Sequence, residues 1–200
     1  MKKICLIGIL FLLSTNIFSQ AVEKGNFVIE PYVGFPNVSK IVLKNIKRIH
    51  DSELKSTGPF GIKVDYFFKD KISFGINCIY NSYNIKGQID SLNTNNVVDS
   101  TYFITVDMQR FRFQANAKYH FFVGEKLDTY VGFGFGMNSR KYTFDSSFPN
   151  LNEKSIFATV LPVSARFDLG FRYFLSKNVG FNFEMGIGGP IMIAGLTVKI

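Results

Sequence analysis

The alternation of apolar and polar residues is clearest between Leu161 and Leu175, where apolar residues occupy every second position. Successive side chains of a β-strand point to opposite faces, so this alternation predicts a long strand with one apolar face and one polar face. The polar face carries three ionised side chains, Arg166, Asp168 and Arg172. Such a strand is typical of a closed barrel that has lipid outside and a polar interior.

The same alternation recurs along the chain and predicts further strands between turn residues. The predicted strands are Phe27–Phe35, Pro59–Phe68, Ile72–Ile85, Tyr102–Phe122, Thr129–Phe144, Phe157–Leu175, Val179–Gly188 and Ile191–Ile200. Connections 69–71, 123–128 and 176–178 are tight, whereas Pro36–Gly58, Lys86–Thr101 and Asp145–Ile156 are long and polar. Small barrels of bacterial outer membranes have an even number of strands, short periplasmic turns and longer extracellular loops. We therefore predict an all-β fold, an eight-stranded antiparallel up-and-down transmembrane β-barrel with both termini in the periplasm.

The outward residues that we assign in the predicted strands, such as Phe111, Phe133 and Phe181, carry no charge. The charged face must be the interior, because an Arg or Lys on lipid at mid-membrane costs roughly 2–4 kcal/mol. The predicted lumenal charges are Glu30, Lys63, Asp65, Arg112, Lys118, Arg166, Asp168, Arg172 and Glu184. Their signs are mixed, and buried charges require partners. Two interpretations follow, a structural plug and a narrow gated path lined by ion pairs that can rearrange.

A soluble lipocalin-like barrel, which also has eight strands, is the alternative fold. That fold needs an apolar cavity and a solvated exterior. The charges on the minority face, among them Arg112, Arg166 and Glu184, disfavour such a cavity.

Aromatic residues near the predicted strand ends fit the membrane interpretation, because Tyr and Phe gather at membrane interfaces. Those near the tight turns, which we predict to form one interfacial girdle, are Tyr66, Phe68, Tyr119, Phe121, Tyr130 and Tyr173.

The N-terminus reads as a secretory signal peptide, with Lys2 and Lys3 before an apolar run from Ile4 to Leu13 and a small residue at Ser19. That run is well short of the roughly 20 residues that a spanning helix needs. We therefore expect a signal peptide over residues 1–19 and a barrel domain over residues 20–200.

The chain is basic, with a formal net charge of +8, and stays basic after the signal peptide leaves. Export argues against a nucleic-acid partner, so anionic lipid head groups are the expected counter-charge. After cleavage Cys78 is the one remaining cysteine, and two distant histidines do not give the spacing of zinc ligands, so we predict no metal site and no cofactor.

The first long loop contains a candidate amphipathic helix over Ser39–Leu54, in which Val42, Ile46 and Ile49 have helical spacing. Its basic residues are Lys40, Lys44, Lys47 and Arg48. Such a helix could rest on the outer leaflet beside lipopolysaccharide phosphates. A loop with incidental spacing is the other interpretation.

An outer-membrane hydrolase would need a catalytic cluster, and the candidate in a long loop is His50, beside Asp51 and Ser52. Residues that are adjacent in sequence rarely form a Ser-His-Asp triad, which is assembled from separate segments. We therefore predict that the protein is not an enzyme.

Two segments, Arg112 to Asn138 and Ala165 to Pro190, resemble the small outer-membrane β-barrel family that includes the outer-membrane protein A-type barrels, often labelled "porin family", of Gram-negative bacteria. The resemblance covers nearly all of the chain after the signal peptide. The last strand, with Leu196, Val198 and Ile200, is similar to the end signal that the barrel-assembly machinery reads, although that signal usually ends in an aromatic residue.

The function that we expect from these features is a structural or surface-interaction role in the outer membrane, with the lumen plugged by mixed charges. A narrow gated channel is the alternative, and a hydrolase or a lipocalin-like binder is less favoured. The sequence identifies no extracellular ligand.

Overall fold

The computed structural model describes residues 20–36, 50–92, 98–147, 154–156 and 162–200. The regular elements in these ranges are strands. They are β1 Phe27–Phe35, β2 His50–Lys69, β3 Ile72–Leu92, β4 Val98–Val123, β5 Leu127–Ser146, β6 Lys154–Ile156, β7 Val163–Phe174, β8 Val179–Ile187 and β9 Met192–Lys199.

The strands form a closed antiparallel barrel in which each wall strand pairs with the next. Strands β1 and β9 close the wall through pairs such as Val28 with Lys199. Strands β6 and β7 both pair with β5, at residues 142–144 and 127–137 of β5. They therefore occupy one position in the wall, and the predicted eight-stranded up-and-down barrel is confirmed.

Pro162 lies immediately before β7, where we predicted one continuous strand from Phe157. Proline has no backbone N–H and cannot donate to a strand ladder, but its carbonyl can accept. The Asn138 N–H donates to the Pro162 carbonyl at 2.7 Å, and regular pairing begins at Val163. Residues 157–161 lie outside the described part of the chain.

The long loops predicted from the sequence are too long. Strand β2 begins at His50 rather than Pro59. Strand β3 continues to Leu92 and β4 already begins at Val98, so the two strands include most of the predicted loop Lys86–Thr101. The third predicted loop, Asp145–Ile156, also loses residues 154–156 to β6. Beyond the membrane both faces of a strand meet water, so pairing continues although the apolar and polar alternation is lost.

The two faces of the wall differ as the sequence predicts. Exposed and buried residues alternate at all 12 positions of β7, with Phe167 and Leu169 exposed and Arg166 and Asp168 buried. The predicted girdle is wrong at Tyr130, because this residue is fully buried inside the barrel, on the face of β5 that carries Asp128. No helix among the described residues is long and apolar enough to cross a membrane.

The barrel has two ends, which we name by their connections. The turn end carries the tight connections β2–β3, β4–β5 and β7–β8 together with the N-terminal segment 20–26. The loop end carries the extended parts of β2 to β5 and the hairpin 188–191 between β8 and β9.

A charge placed on the exposed apolar face should destabilise the barrel according to its depth. Phe135 is 56% exposed opposite Ala115, and Ser139 lies on the same face, four residues closer to the loop end. We expect Phe135→Arg to lower the free energy of unfolding by about 2–4 kcal/mol and Ser139→Arg by about 0–1 kcal/mol. Urea titration in lipid vesicles, read by the gel mobility of unboiled samples, measures both. Equal effects would contradict the lipid-facing assignment.

Candidate functional site

The interior of the barrel holds the buried polar and charged side chains of the described residues. Because side chains alternate, each strand delivers every second residue to the lumen. Described from the turn end to the loop end, the lumen contains an apolar plug, a charge network, a hydrogen-bonded chain of uncharged residues and a group of arginines.

The apolar plug is formed by Ala21 and Val22, which lie inside the turn end of the barrel. Their partners in this cluster are Val28, Phe67, Phe174 and Val123. The segment is fixed by backbone hydrogen bonds, because the Ala21 N–H donates to Gly124 O at 2.8 Å and the Gly25 N–H donates to Phe67 O at 2.8 Å. Lys199 Nζ also donates to Ala21 O at 2.9 Å. The N-terminal segment is therefore held inside the turn end of the barrel.

Arg172 is the centre of the charge network and is completely buried. Its Nε donates to Glu30 Oε1 at 2.8 Å and its Nη1 donates to Asp128 Oδ2 at 3.0 Å, while its Nη2 bonds Asp65. These carboxylates come from β1, β5 and β2. One guanidinium on β7 thus links four strands across the lumen.

Two lysines complete the network beside Arg172. Lys63 pairs with Glu184 and lies 3.3 Å from Glu30 Oε2, and Lys118 lies 2.7 Å from Asp65 Oδ2. Lys118 also lies 3.6 Å from Glu184 Oε1. Each lysine therefore has several carboxylates within reach, and they share Glu184.

Tyr130 lies within this network and provides both a hydroxyl and an aromatic face. Its hydroxyl donates to Glu184 Oε1 at 2.7 Å. The guanidinium carbon of Arg172 and the ammonium of Lys118 each lie 4.5 Å from the ring centroid, within the range of cation–π attraction.

Glycines on the interior face make room for these large side chains. A Cβ at Gly170 would lie 2.6 Å from Glu184 Cγ and 2.9 Å from the Tyr130 ring. Any larger residue there would displace the hydrogen-bonded pair. Gly170 on β7 therefore leaves the space that Tyr130 on β5 and Glu184 on β8 occupy.

A chain of hydrogen bonds between uncharged side chains crosses the lumen on the loop-end side of the charge network. The Tyr32 hydroxyl donates to Asn77 Oδ1 at 2.7 Å, and Asn77 Nδ2 donates to Gln114 Oε1 at 3.4 Å. Gln114 Nε2 then donates to Ser164 Oγ at 2.8 Å. The chain joins strands β1, β3, β4 and β7.

Ser73, His120 and Asp128 form a line of hydrogen bonds with the order of a hydrolytic triad. Ser73 Oγ lies 2.9 Å from His120 Nε2, and His120 Nδ1 lies 2.7 Å from Asp128 Oδ1. All three residues are fully buried, and the Phe67 ring packs 4.5 Å from the imidazole. A nucleophile must reach its substrate, so we interpret this arrangement as a structural tie between β3, β4 and β5.

The loop end of the lumen is rich in arginine. Arg110 and Arg140 are directly opposite each other on β4 and β5, and Arg112 lies two residues from Arg110 on the same face. Arg166 reaches this end from β7, where its Nη1 donates to Pro190 O at 2.7 Å. Pro190 belongs to the hairpin 188–191 and is itself buried.

The structure buries all nine predicted lumenal charges inside the barrel. Eight of them have an ion pair within 4.0 Å; Arg112 is the exception among the described residues. Of the predicted outer-leaflet residues, Lys40, Lys44, Lys47 and Arg48 lie outside the described ranges. The predicted helix is wrong for residues 50–54, because β2 already includes them. The side chains of His50, Asp51 and Ser52 are not described.

Several lumenal residues were missed by the sequence reasoning. Asp128 was placed in a turn, although it shares the face of Gly132 and Gly134 on β5. Arg110 and Arg140 would have been found by extending the alternation of β4 and β5 towards the loop end. The plug residues Ala21 and Val22 carry no signal in the sequence, because a buried segment of two small apolar residues has no periodicity.

No group of three or more metal-ligating side chains occurs within the described ranges.

Loss of Arg172 should be costly because its three carboxylates would remain buried without their shared partner. We expect Arg172→Gln to lower the free energy of unfolding by about 3–5 kcal/mol. Arg110→Gln is the matched control, since no carboxylate of the described residues lies within 4.0 Å of Arg110. Urea unfolding in vesicles compares the two variants, and an Arg172 effect no larger than that of Arg110 would contradict the central role of this side chain.

Comparison with known proteins agrees with the architecture. A family model described as "Outer membrane protein beta-barrel domain" matches residues 9–191. No curated protein gives a significant match to the sequence.

Among solved structures, the N-terminal β-barrel domain of Pseudomonas aeruginosa OprF has 15% identity and a TM-score of 0.40, covering 89% of this chain and 98% of that one. OprG from the same organism has 11% identity and a TM-score of 0.47, covering 89% and 97%. Ail, the attachment invasion locus protein of Yersinia pestis, was solved with the heparin analogue sucrose octasulfate; it has 12% identity and a TM-score of 0.41, covering 88% and 96%.

The family match spans most of the chain and accords with the closed eight-stranded barrel described above. The chain therefore belongs to the outer membrane protein beta-barrel domain family of Gram-negative outer-membrane proteins.

Proposed function

We propose that this barrel has a structural or surface-interaction role in the outer membrane and that its lumen is closed to diffusion. The observation that carries this proposal is the network around Arg172, in which buried residues of opposite charge fill the section between β1, β2, β5 and β7. An eight-stranded barrel is just wide enough for its side chains to fill the interior. Here the interior side chains are long and mutually paired.

Two further layers support closure. The apolar plug of Ala21 and Val22 covers the turn end, and the chain from Tyr32 to Ser164 crosses the lumen nearer the loop end. An ion moving through the barrel would have to displace all three layers. Each layer uses a different interaction, so one rearrangement would not open a continuous path.

A surface role would be carried by the loop end. Strands β2 to β5 extend there to His50, Leu92, Val98 and Ser146. Between β3 and β4, Asn84 Nδ2 donates to Asp107 Oδ1 at 2.6 Å. That hydrogen bond lies on the outer face of the wall, where lipid would leave both groups without water. The strands above it form a projecting surface, and lipopolysaccharide contact by Lys40, Lys44, Lys47 and Arg48 remains part of the proposal.

A narrow gated channel is the second candidate, and the shared carboxylates favour it. Lys63 and Lys118 both lie within 4.0 Å of Glu30 and of Glu184. Because each lysine has two alternative partners, the pairs could exchange without leaving a charge unpaired. Such an exchange would shift side chains across the lumen.

The absence of enzymatic activity is also part of the proposal. It is supported by the burial of Ser73 and His120, which leaves their hydrogen-bonded line without access to a substrate.

Export and assembly complete the proposal. We infer that a signal peptide over residues 1–19 is removed, since Lys2 and Lys3 precede a short apolar run from Ile4 to Leu13, which is the pattern of a secretory signal. The barrel-assembly machinery would read β9, Met192–Lys199, as the end signal. The intact mass of protein isolated from outer membranes tests the cleavage position, and a mass that retains residues 1–19 would contradict it.

Conductance in planar lipid bilayers tests the closed lumen. We expect no steady conductance from the unmodified barrel, because every layer described above is filled. The double variant Lys63→Ala, Glu184→Ala removes a facing pair without changing the net charge, and we expect it to show small steady currents.

Lys177→Ala is the matched control, since Lys177 is exposed in the turn between β7 and β8. It should remain closed. Steady ohmic conductance from the unmodified barrel would contradict closure and favour the gated channel.

A further inference from the structure

Four arginines converge at the loop end of the lumen, and no ion pair joins Arg110 or Arg112 to the network around Arg172. We name Arg110, Arg112, Arg140 and Arg166 the arginine cluster. Arg110 and Arg140 face each other directly across β4 and β5. Like charges directly opposite on a sheet are destabilising, so this arrangement has a cost that its surroundings must offset.

Arg110 and Arg112 have no negatively charged partner among the described residues, whereas Arg166 Nε lies 3.3 Å from Asp168 Oδ2. No carboxylate of the described residues lies within 4.0 Å of the guanidinium of Arg110 or Arg112. Arg110 Nε donates to Asn138 Oδ1 at 2.8 Å, and Arg112 Nη1 donates to Gly188 O at 3.3 Å. These acceptors are neutral, so they satisfy hydrogen bonds without balancing the charge.

Arg112 and Arg166 each have a guanidinium nitrogen that is buried without a hydrogen-bond acceptor. Arg112 is 9% exposed and its Nε has no partner. Arg166 is 3% exposed, and its Nη2 has no hydrogen bond although Glu184 Oε2 lies 3.6 Å away. An unmade hydrogen bond on a buried charged donor is expensive. The cluster therefore has donors available for a further acceptor.

Asp168 pairs with Arg166 of the cluster, and the other acids of the lumen described here lie deeper and are already engaged. Glu30, Asp65 and Asp128 surround Arg172, and Glu184 pairs with Lys63. Positive charge is consequently concentrated at the loop end, while the carboxylates lie nearer the turn end. If the lumenal charges served only to fill the barrel as matched ion pairs, positive and negative charges would not need to lie at different ends.

The hairpin between β8 and β9 holds two of the arginines in place. Gly188 adopts φ +86°, a conformation that suits glycine, and its carbonyl faces Arg112. A Cβ at Gly189 would lie 2.5 Å from Arg166 Nη1 and 3.4 Å from Arg112 Nη1. Both guanidiniums therefore approach the same residue, and their other nitrogens are oriented by these carbonyl contacts.

We propose that the arginine cluster is a binding site for a phosphate or sulfate group that enters from the loop end. The planar guanidinium presents paired N–H donors that match two oxygens of a tetrahedral oxyanion, and charge-assisted bonds of this kind are the strong ones. A doubly charged group would relieve the repulsion between Arg110 and Arg140 and supply acceptors for Arg112 Nε and Arg166 Nη2. This site is independent of whether the lumen conducts.

Calorimetric titration with inorganic phosphate tests the site in barrel protein refolded in an uncharged detergent. We expect the double variant Arg110→Gln, Arg112→Gln to bind phosphate at least about tenfold more weakly, because charged hydrogen bonds are lost. Lys141→Gln removes a neighbouring positive charge from the outer face of β5, where Lys141 is exposed, and should bind like the unmodified protein. Inorganic sulfate should compete with phosphate.

Folding of each variant is checked by its gel mobility before and after boiling. If the double variant fails this check, Arg112→Lys takes its place, since it keeps the charge but loses the paired donors and should still weaken binding. No phosphate binding by the unmodified protein at millimolar concentration, or equal loss in Lys141→Gln, would overturn the proposal.

A second experiment distinguishes free phosphate from a lipid head group as the ligand. NMR follows the Arg112 Nε–H resonance during addition of free phosphate, and separately during addition of phosphatidate to the neutral micelles. A shift with free phosphate supports a soluble ligand, and a shift with phosphatidate alone supports a lipid head group. A resonance that responds to neither addition would contradict the site.

Discussion

The exclusion of charge from the lipid-facing wall is the constraint on which the rest of this structure depends. A strand that alternates apolar and charged residues has one acceptable orientation in a membrane, and its charges must then be paired inside. Arg172 shows the result most clearly, since its guanidinium binds carboxylates on β1, β2 and β5. The membrane assigns the faces, and the paired charges then connect distant strands.

Buried ion pairs of this kind are better evidence for specificity than for stability. Their desolvation offsets much of their attraction, although removal of one partner is costly. In this barrel a slip of one residue in β7 would move Arg166, Asp168 and Arg172 towards lipid together. The network therefore fixes the register of the wall, and the closed lumen that we propose rests on the same pairing. The exposed apolar surface and the buried charges have one physical origin.

The fold was predictable because alternation with period two is a strong signal wherever one face meets lipid. The same rule predicted nine of the buried charges, including Glu30 and Glu184, which are separated by 154 positions in the chain and meet through Lys63. The alternation rule failed where neither face of a strand is in contact with lipid. Above the membrane the strands continue without an apolar face, so β2 begins at His50, nine residues before the predicted Pro59.

Other features depend on packing that a linear pattern does not encode. Asp128 was assigned to a turn because it lies at the start of β5, and its partner Arg172 is on another strand. The plug of Ala21 and Val22 precedes the first strand and is stabilised by Phe67 and Phe174, which come from the ends of β2 and β7. The arrangement of Ser73, His120 and Asp128 likewise required the register of three strands.

The water accessibility of Arg172 is the most direct test of a closed and paired lumen. NMR can follow the Arg172 Nε–H resonance of the refolded barrel after transfer into deuterated water. The account predicts that this resonance persists far longer than the N–H resonances of the tight turns, because the guanidinium is fully buried and bound to carboxylates. Exchange of the Arg172 proton as fast as the turn protons would contradict the account and indicate a hydrated path through the barrel.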